Sequence, residues 1–505
     1  MSEIIANVNG AVNDVVWGVP ALVLLVGTGV IMTIVTGFFQ VTHFGHMMKE
    51  TFIGMFKKKD VRKNHDKTQI SQFQALCTAL SATIGTGNIA GIAFAITMGG
   101  TGSIFWMWVA AFFGMMTNYS ENVLGIFFRR KNEHNEWSGG AMYYLRDGLG
   151  AKKGCKVIGK VLAILFSCFA ILASFGIGNM GQVVSIKESV LNVCGVPTDS
   201  TVGGLIIGIA VAIVVALVVI GGLQRIAKVN EKIVPFMAGF YILGAIVIVI
   251  MNANMVGPAF ASIFGHAFTL KAAAGGTGGA LIKMAITWGF KRGVFSNEAG
   301  LGSSVMVHSA SNVKEPVTQG LWGIFEVFVD TIIVCTLTAF VVLTTGIVDL
   351  ETGASISGAT KLGLATEAFT SSFGPVGGVF IAIAVTLFAL STVLGWSYYG
   401  SKAWEFLFGT KSIMIYKVIF VIVVVAGSTL DASLAIDLSD TFNGLMAIPN
   451  LIGVLTLSGT VLAITKNYKL RKFKGQTDLK PMISFFPEIQ KMQEDAIKAE
   501  AENEE

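Results

Sequence analysis

Residues 70–98 form an apolar run long enough to cross a bilayer as a helix, yet Ser81-Ala-Thr-Ile-Gly-Thr-Gly-Asn-Ile-Ala-Gly91 lies in its middle. Gly85 and Gly87 bracket the β-branched Thr86, and each glycine costs roughly 1 kcal/mol relative to alanine inside a helix. Local unwinding follows, and in hydrocarbon an unwound backbone survives only where protein buries it or where it lines a polar cavity. Freed carbonyls there can hold a cation, and the N–H groups opening the next half-helix can hold a carboxylate. The competing reading is close helix packing through small residues.

The surroundings of that run are those of a polytopic membrane protein. Charged residues make up 13% of the 505 and hydrophobic ones 53%, whereas soluble domains carry about 25% charged residues. Residues 1–16 contain no Lys or Arg, so they lack the basic start of a cleaved signal peptide, and the first apolar segment is expected to remain as a helix. The five cysteines show no CxxC spacing, which points to neither a disulfide framework nor a metal centre. The formal charge of +5 belongs to basic loops and implies no nucleic-acid partner.

Windows of about 20 apolar residues give eleven candidate spans: 17–40, 70–98, 102–128, 157–186, 202–222, 233–256, 276–306, 317–346, 376–399, 413–430 and 434–465. Bases cluster in alternate loops. They include Lys57, Lys58, Lys59, Arg62, Lys63 and Lys67 after the first span, and Arg129, Arg130, Lys131, Arg146, Lys152 and Lys153 after the third. Lys187, Lys271 and Lys361 are the only bases of the intervening loops. The positive-inside rule then places the N-terminus outside and the C-terminus in the cytoplasm, for a multi-pass protein of the plasma or inner membrane surrounded by lipid. The 137–148 loop is mildly amphipathic and is expected at the interface. The charged tail is expected to be mobile.

A second interrupted segment changes the weight of the first. Trp288-Gly-Phe-Lys-Arg-Gly-Val-Phe-Ser-Asn-Glu-Ala-Gly-Leu-Gly302 contains four glycines and places Lys291, Arg292, Asn297 and Glu298 inside an apolar span. No lipid-facing helix carries those charges cheaply. With the first span set aside, ten remain, and an interrupted span opens each group of five. This divides the chain into 1–69 (N-terminus, first helix and basic loop), 70–256 and 257–465 (two five-helix repeats of opposite orientation) and 466–505 (cytoplasmic tail). Paired broken helices in inverted halves point to the site of a secondary transporter. A channel would show repeated filter motifs, and the chain has neither HExxH nor Gly-x-Ser-x-Gly to suggest an enzyme.

Four stretches resemble the alanine/glycine:cation symporters, the sodium:alanine symporter family. They are Ser81-Ala-Thr-Ile-Gly-Thr-Gly-Asn88, Gly99-Gly-Thr-Gly-Ser-Ile-Phe-Trp-Met-Trp108, Gly176-Ile-Gly-Asn-Met-Gly-Gln182 and Lys291-Arg-Gly-Val-Phe-Ser-Asn-Glu-Ala-Gly300. Thr101 stands where proline is expected in many members. The resemblance runs from the first span to about residue 465. It implies an all-α, leucine-transporter-like 5+5 inverted repeat with one extra N-terminal helix, importing alanine or glycine with Na+, or H+ in some members, by alternating access. A monomer or weak oligomer without cofactor is expected.

For a small zwitterion the expected site comprises Thr83, Gly85, Thr86, Gly87 and Asn88, with backbone N–H groups meeting the carboxylate and Thr86 and Asn88 as side-chain donors. Asn179 and Gln182 lie three apart on one helical face, with Phe175 a turn back. These amides either bond a neighbouring helix or face substrate, and the resemblance favours substrate. Phe295 and Trp288 are candidates to wall the side chain, with plain packing as the alternative. The resemblance also implies a Na+ site of Ser391 and Thr392, with Thr386 as a further candidate, beside carbonyls near Ala82 and Gly85. Hydroxyls that merely bond back to their own helix are the alternative. Glu121, Glu298, Glu326 and Asp330 are the remaining acids within apolar spans. Arg292 cannot shed its charge and is expected to pair with Glu121, or with Asp330, as a gate or a brace.

Overall fold

The computed structural model describes residues 2–64, 66, 68–268, 278–429, 433–476 and 478–504. Lys67, Lys271, the first residues of the 276–306 window and Leu430 lie outside the described residues. The membrane-embedded chain is helical: α1 (Ser2–Val16), α2 (Val19–Val35), α3 (Gln72–Thr83), α4 (Ala90–Gly99), α5 (Ser103–Phe127), α6 (Lys156–Phe175), α7 (Gly181–Val193), α8 (Thr201–Val219), α9 (Gly222–Met251) and α10 (Val256–Phe268). There follow α11 (Gly278–Asn297), α12 (Pro316–Val327), α13 (Thr336–Thr344), α14 (Lys361–Phe373), α15 (Pro375–Phe408), α16 (Ile413–Thr429), α17 (Ser433–Thr456), α18 (Ser458–Phe473) and α19 (Pro487–Glu504). The one sheet among the described residues is a short hairpin, Arg130–Lys131 against Trp137–Ser138. Among the described residues, seven helical stretches are long and apolar enough to cross a membrane, or eight if the pair Ser433–Thr456 and Ser458–Phe473, bent by 57°, is one span. That is fewer than eleven because some of the expected spans are divided or polar.

The first break forms where the glycines put it. Ser71 caps α3 reciprocally: its hydroxyl accepts from the Gln74 N–H at 3.1 Å, and its own N–H donates to Gln74 Oε1 at 3.0 Å. The helix stops at Ile84 (ψ 86°), Gly85 is extended, and one tight turn over Thr86–Asn88 leads into α4. The Gly85 N–H donates to Asn88 Oδ1 at 2.9 Å, so the unwound segment closes on itself.

The second break lies later than its glycines suggest. α11 runs unbroken through Gly289 and Gly293 to Asn297. Those glycines serve close approach instead: a Cβ on Gly289 would lie 2.4 Å from the Ser103 carbonyl oxygen, and one on Gly293 3.3 Å from Ala110 Cβ. Unwinding begins at Glu298 (φ 57°) and continues through Gly300 (φ 93°) and Gly302 (φ 73°).

Packing follows membrane rules, with small residues inward and large aliphatics outward. On α8, Gly204, Gly208 and Ala212 are buried while Val202, Ile206, Ile213 and Leu217 are exposed. Gly204 meets α16, where a Cβ would come 2.4 Å from the Ser428 carbonyl oxygen. α3 packs on α9 and α15, α4 on α11 and α14, and α5 on α11 and α12.

Three peripheral expectations are corrected. Residues 2–16, read only as a polar start, form α1, and Asn13 Nδ2 donates to Asp440 Oδ2 at 3.1 Å. The 137–148 stretch is packed into the protein rather than presenting a free amphipathic face: Trp137, Ala141, Met142, Tyr144 and Leu145 are buried, and Tyr144 bonds Asn450. The tail is docked. Phe485 N–H donates to the Phe127 carbonyl at 2.9 Å, its ring lies 5.0 Å from that of Phe128, and Ile483 is buried.

Candidate functional site

The unwound segment between α3 and α4 forms one wall of a cavity of about 360 Å³. Thr86, Gly87, Ile177, Gln182 and Phe295 line its floor, and Arg292, Lys361, Glu188, Asp437 and Asp440 line its mouth. Thr86 Oγ1 donates to Gln182 Oε1 at 3.1 Å, joining the break to α7. Gly87 faces the Phe295 ring, where a Cβ would sit 3.4 Å from Cδ1. Two halves of the chain therefore meet in this space, which joins backbone polarity to one aromatic wall, the pattern of a small-ligand site.

Beneath the floor, hydroxyls of α15 reach the end of α3. Thr392 Oγ1 lies 3.0 Å from the Ser81 carbonyl oxygen, and Ser391 Oγ lies 3.5 Å from it. A Cβ on Gly85 would come 2.7 Å from Thr392 Oγ1, so this close approach requires glycine there. Both hydroxyls also reach the Phe388 carbonyl at 2.9 Å. Neutral, hard oxygen donors of this kind suit a monovalent cation.

The face away from the cavity mouth is sealed. The Arg129 guanidinium donates to the carbonyls of Ser309, Ser311 and Val313 at 3.2, 2.7 and 2.6 Å. Ile70 and Asn312 are tied to each other by the Asn312 N–H donating to the Ile70 carbonyl at 2.8 Å. This seal lies on the side of the basic loops.

Several expected site residues lie elsewhere. Thr83 is buried and bonds back to the Ala79 carbonyl. The Asn88 amide turns away from the cavity and donates to Asp330 Oδ1 at 2.7 Å and Ser296 Oγ at 2.9 Å. It braces the break and is no side-chain donor to the cavity. Asn179 Nδ2 donates to the Phe420 carbonyl of α16 at 2.8 Å, and Phe175 packs on Tyr416 and Phe420. Both belong to a helix contact. The reason is the π-helical turn Gly176–Met180, which rotates Asn179 off the face of Gln182. Trp288 packs against Phe94 with centroids 5.1 Å apart, outside the cavity lining. No hydrogen bond joins Thr386 to the broken segment.

Arg292 pairs with neither Glu121 nor Asp330. Because α11 stays helical through Gly293, residue 292 remains at the cavity mouth. Its guanidinium lies over the rings of Phe94, Phe295 and Trp288 at 5.1, 5.3 and 5.6 Å. Glu121 bonds Asn450 instead, and Asp330 accepts from Asn88, Ser296 and Thr331. Asp437 and Asp440 at the mouth went unnoticed in the sequence, where they lie near the start of the last span.

The model of the sodium:alanine symporter family matches residues 2–481. The chain is 45% identical over 465 residues to the sodium/alanine symporter AgcS of Methanococcus maripaludis, covering 91% of this chain and 97% of that one. It is 35% identical to the putative sodium/proton-dependent alanine carrier protein YrbD of Bacillus subtilis, over 94% of each chain. The probable sodium/glutamine symporter GlnT of Bacillus subtilis is 34% identical, over 94% of this chain and 93% of that one. Among solved structures, MhsT in complex with L-phenylalanine superposes with a TM-score of 0.53 at 14% identity, covering 79% of this chain and 99% of that one. The fold is thus that of the leucine-transporter class, and the chain belongs to the sodium:alanine symporter family of multi-pass membrane transporters.

Proposed function

We propose that this protein carries alanine and glycine across the membrane together with Na+ by alternating access. One observation bears most of the reading: the broken α3–α4 segment borders the cavity on one side and the Ser81–Thr392 oxygen pair on the other. A zwitterion in the cavity finds N–H groups of the turn Thr86–Asn88 for its carboxylate. Its short side chain meets Phe295, whose ring lies close over Gly87 and so disfavours a leucine or phenylalanine side chain there. Na+ is favoured over H+ at the oxygen pair because carbonyl and hydroxyl groups are neutral there and do not take up a proton. With the basic loops in the cytoplasm, the cavity mouth faces outward and the Arg129 seal faces inward. The inverted halves 70–256 and 257–465 then rock about the site.

The test is uptake of radiolabelled alanine into proteoliposomes under an imposed Na+ gradient or an imposed pH gradient. Saturable uptake that follows the Na+ gradient, inhibited by glycine and poorly by leucine, is expected. Uptake that follows the pH gradient without Na+ overturns the coupling assignment.

A further inference from the structure

A chain of hydrogen bonds runs from one break to the other. At the first, the Gly85 N–H donates to Asn88 Oδ1 at 2.9 Å, and Asn88 Nδ2 donates to Asp330 Oδ1 at 2.7 Å and Ser296 Oγ at 2.9 Å. At the second, the Ala299 N–H donates to Asn297 Oδ1 at 3.0 Å, and Asn297 Nδ2 donates to Thr331 Oγ1 at 3.0 Å. The hydroxyls of Ser296 and Thr331 both donate to Asp330 Oδ2 at 2.8 Å. Two asparagines therefore do the same work. Each takes a backbone N–H at its own break, and both lead to one carboxylate.

The local backbone serves this junction. Asp330 lies in the π-helical stretch Phe328–Cys335 between α12 and α13, a form that is rare and recurs at functional sites. Asp330 and Cys335 are five residues apart, a spacing that a regular α-helix does not bring onto one face. Here Asn88 Nδ2 reaches both, with Cys335 Sγ at 3.3 Å. Asn88, Ser296, Asn297, Asp330 and Thr331 are all buried, and none is among the side chains with a buried, unpaired polar atom. Other buried amides are less well matched: Asn122, Asn179, Asn230 and Asn443 each keep an unpaired carbonyl oxygen. A buried network with every member satisfied is rigid, and removing one member strands the next.

We infer that Asp330 is a positioning residue that ties the two breaks into one unit. It acts on the turn Thr86–Asn88 through Asn88, and on residues 298–302 through Ser296, Thr331 and Asn297. A ligand that orders the first break then orders the second as well, although none of these five side chains lines the cavity. The tie goes beyond the alanine and Na+ reading and takes from it only the choice of alanine as ligand.

Hydrogen exchange read by mass spectrometry on the purified full chain, without ligand, tests the tie directly. Equilibrium binding of radiolabelled alanine to the same samples reads its effect on the cavity. Asn297→Ala cuts the arm at the second break. It is expected to speed exchange several-fold at 84–89 as well as at 298–302, and to weaken alanine binding about tenfold, within the usual span of coupling between sites. Asp330→Asn keeps an acceptor for Asn88 and is expected to stay close to wild type in both measurements, while Asp330→Ala loosens both breaks. Thr331→Val replaces one hydroxyl by a methyl group and should also speed exchange at both breaks, so the test holds if Asp330→Ala fails to reach the membrane. Faster exchange confined to 298–302 in Asn297→Ala, with alanine binding as in wild type, overturns the proposal. So does an Asp330→Asn protein that matches Asp330→Ala, which assigns the effect to the charge and not to the bonds. Wild type that binds no alanine counts against the substrate reading alone, because exchange at 84–89 in Asn297→Ala still decides the tie.

Discussion

At the scale of single residues, the break in the first interrupted helix was legible and the direction of the side chains around it was not. Gly85-Thr-Gly-Asn88 announced an unwound turn because no other composition interrupts a membrane helix so plainly, and the hydroxyls of Ser391 and Thr392 do reach its edge. Asn88 was read as a donor to substrate, yet its amide is held by Asp330 and Ser296. Helical periodicity says where a side chain points only while the helix is regular, and at a break that guide is lost. The same reason misplaced Asn179: three-residue spacing from Gln182 puts both on one face of an α-helix, whereas the turn Gly176–Met180 is π-helical. Asn179→Ala is therefore expected to act on folding. It removes the bond to the Phe420 carbonyl and leaves that acceptor buried, at a cost of about 1–3 kcal/mol. Membrane abundance or thermal stability of the purified variant should fall, with alanine affinity in the surviving protein unchanged.

At the scale of elements, glycine in an apolar segment carries two messages that sequence alone does not separate. In 84–89 it marks unwinding. In α11 it marks a groove, since Gly289 lets the helix approach the backbone of α5 at Ser103. The difference lies in the partner: a helix face packed against another backbone stays helical despite its glycines. Gly289→Val should overpack this contact and destabilise by about 1–3 kcal/mol, read as a lowered melting temperature in detergent. Gly239→Val on α9 is its control, because nothing lies within 4 Å of a Cβ there, and it should leave the melting temperature nearly unchanged. The tail shows the converse limit: its charge suggested mobility, but Ile483, Phe485 and Phe486 supply enough apolar surface to dock it. Phe486 does so beneath Arg130, whose guanidinium lies 4.3 Å from the ring centroid.

At the scale of the molecule, alternating basic and base-poor loops together with paired interruptions were enough to suggest a transporter of inverted halves. What they could not give was which acid meets which base. A buried charge satisfies itself through three-dimensional neighbours that lie far apart in the chain, such as Glu121 with Asn450 or Lys291 with Asp440 at 3.7 Å. Under the proposed function, coupling has a local cause: a cation at the Ser81–Thr392 oxygens would fix the same unwound segment that borders the cavity, so each ligand would order the backbone the other needs. The direct measure is equilibrium binding of radiolabelled alanine to the purified protein, titrated with Na+, in wild type, Thr392→Ser and Thr392→Ala. Na+ should tighten alanine binding in wild type and in Thr392→Ser alike, while Thr392→Ala should need about tenfold more Na+ for the same effect, the equivalent of about 1.4 kcal/mol. Alanine binding in Thr392→Ala with wild-type Na+ dependence would contradict the account.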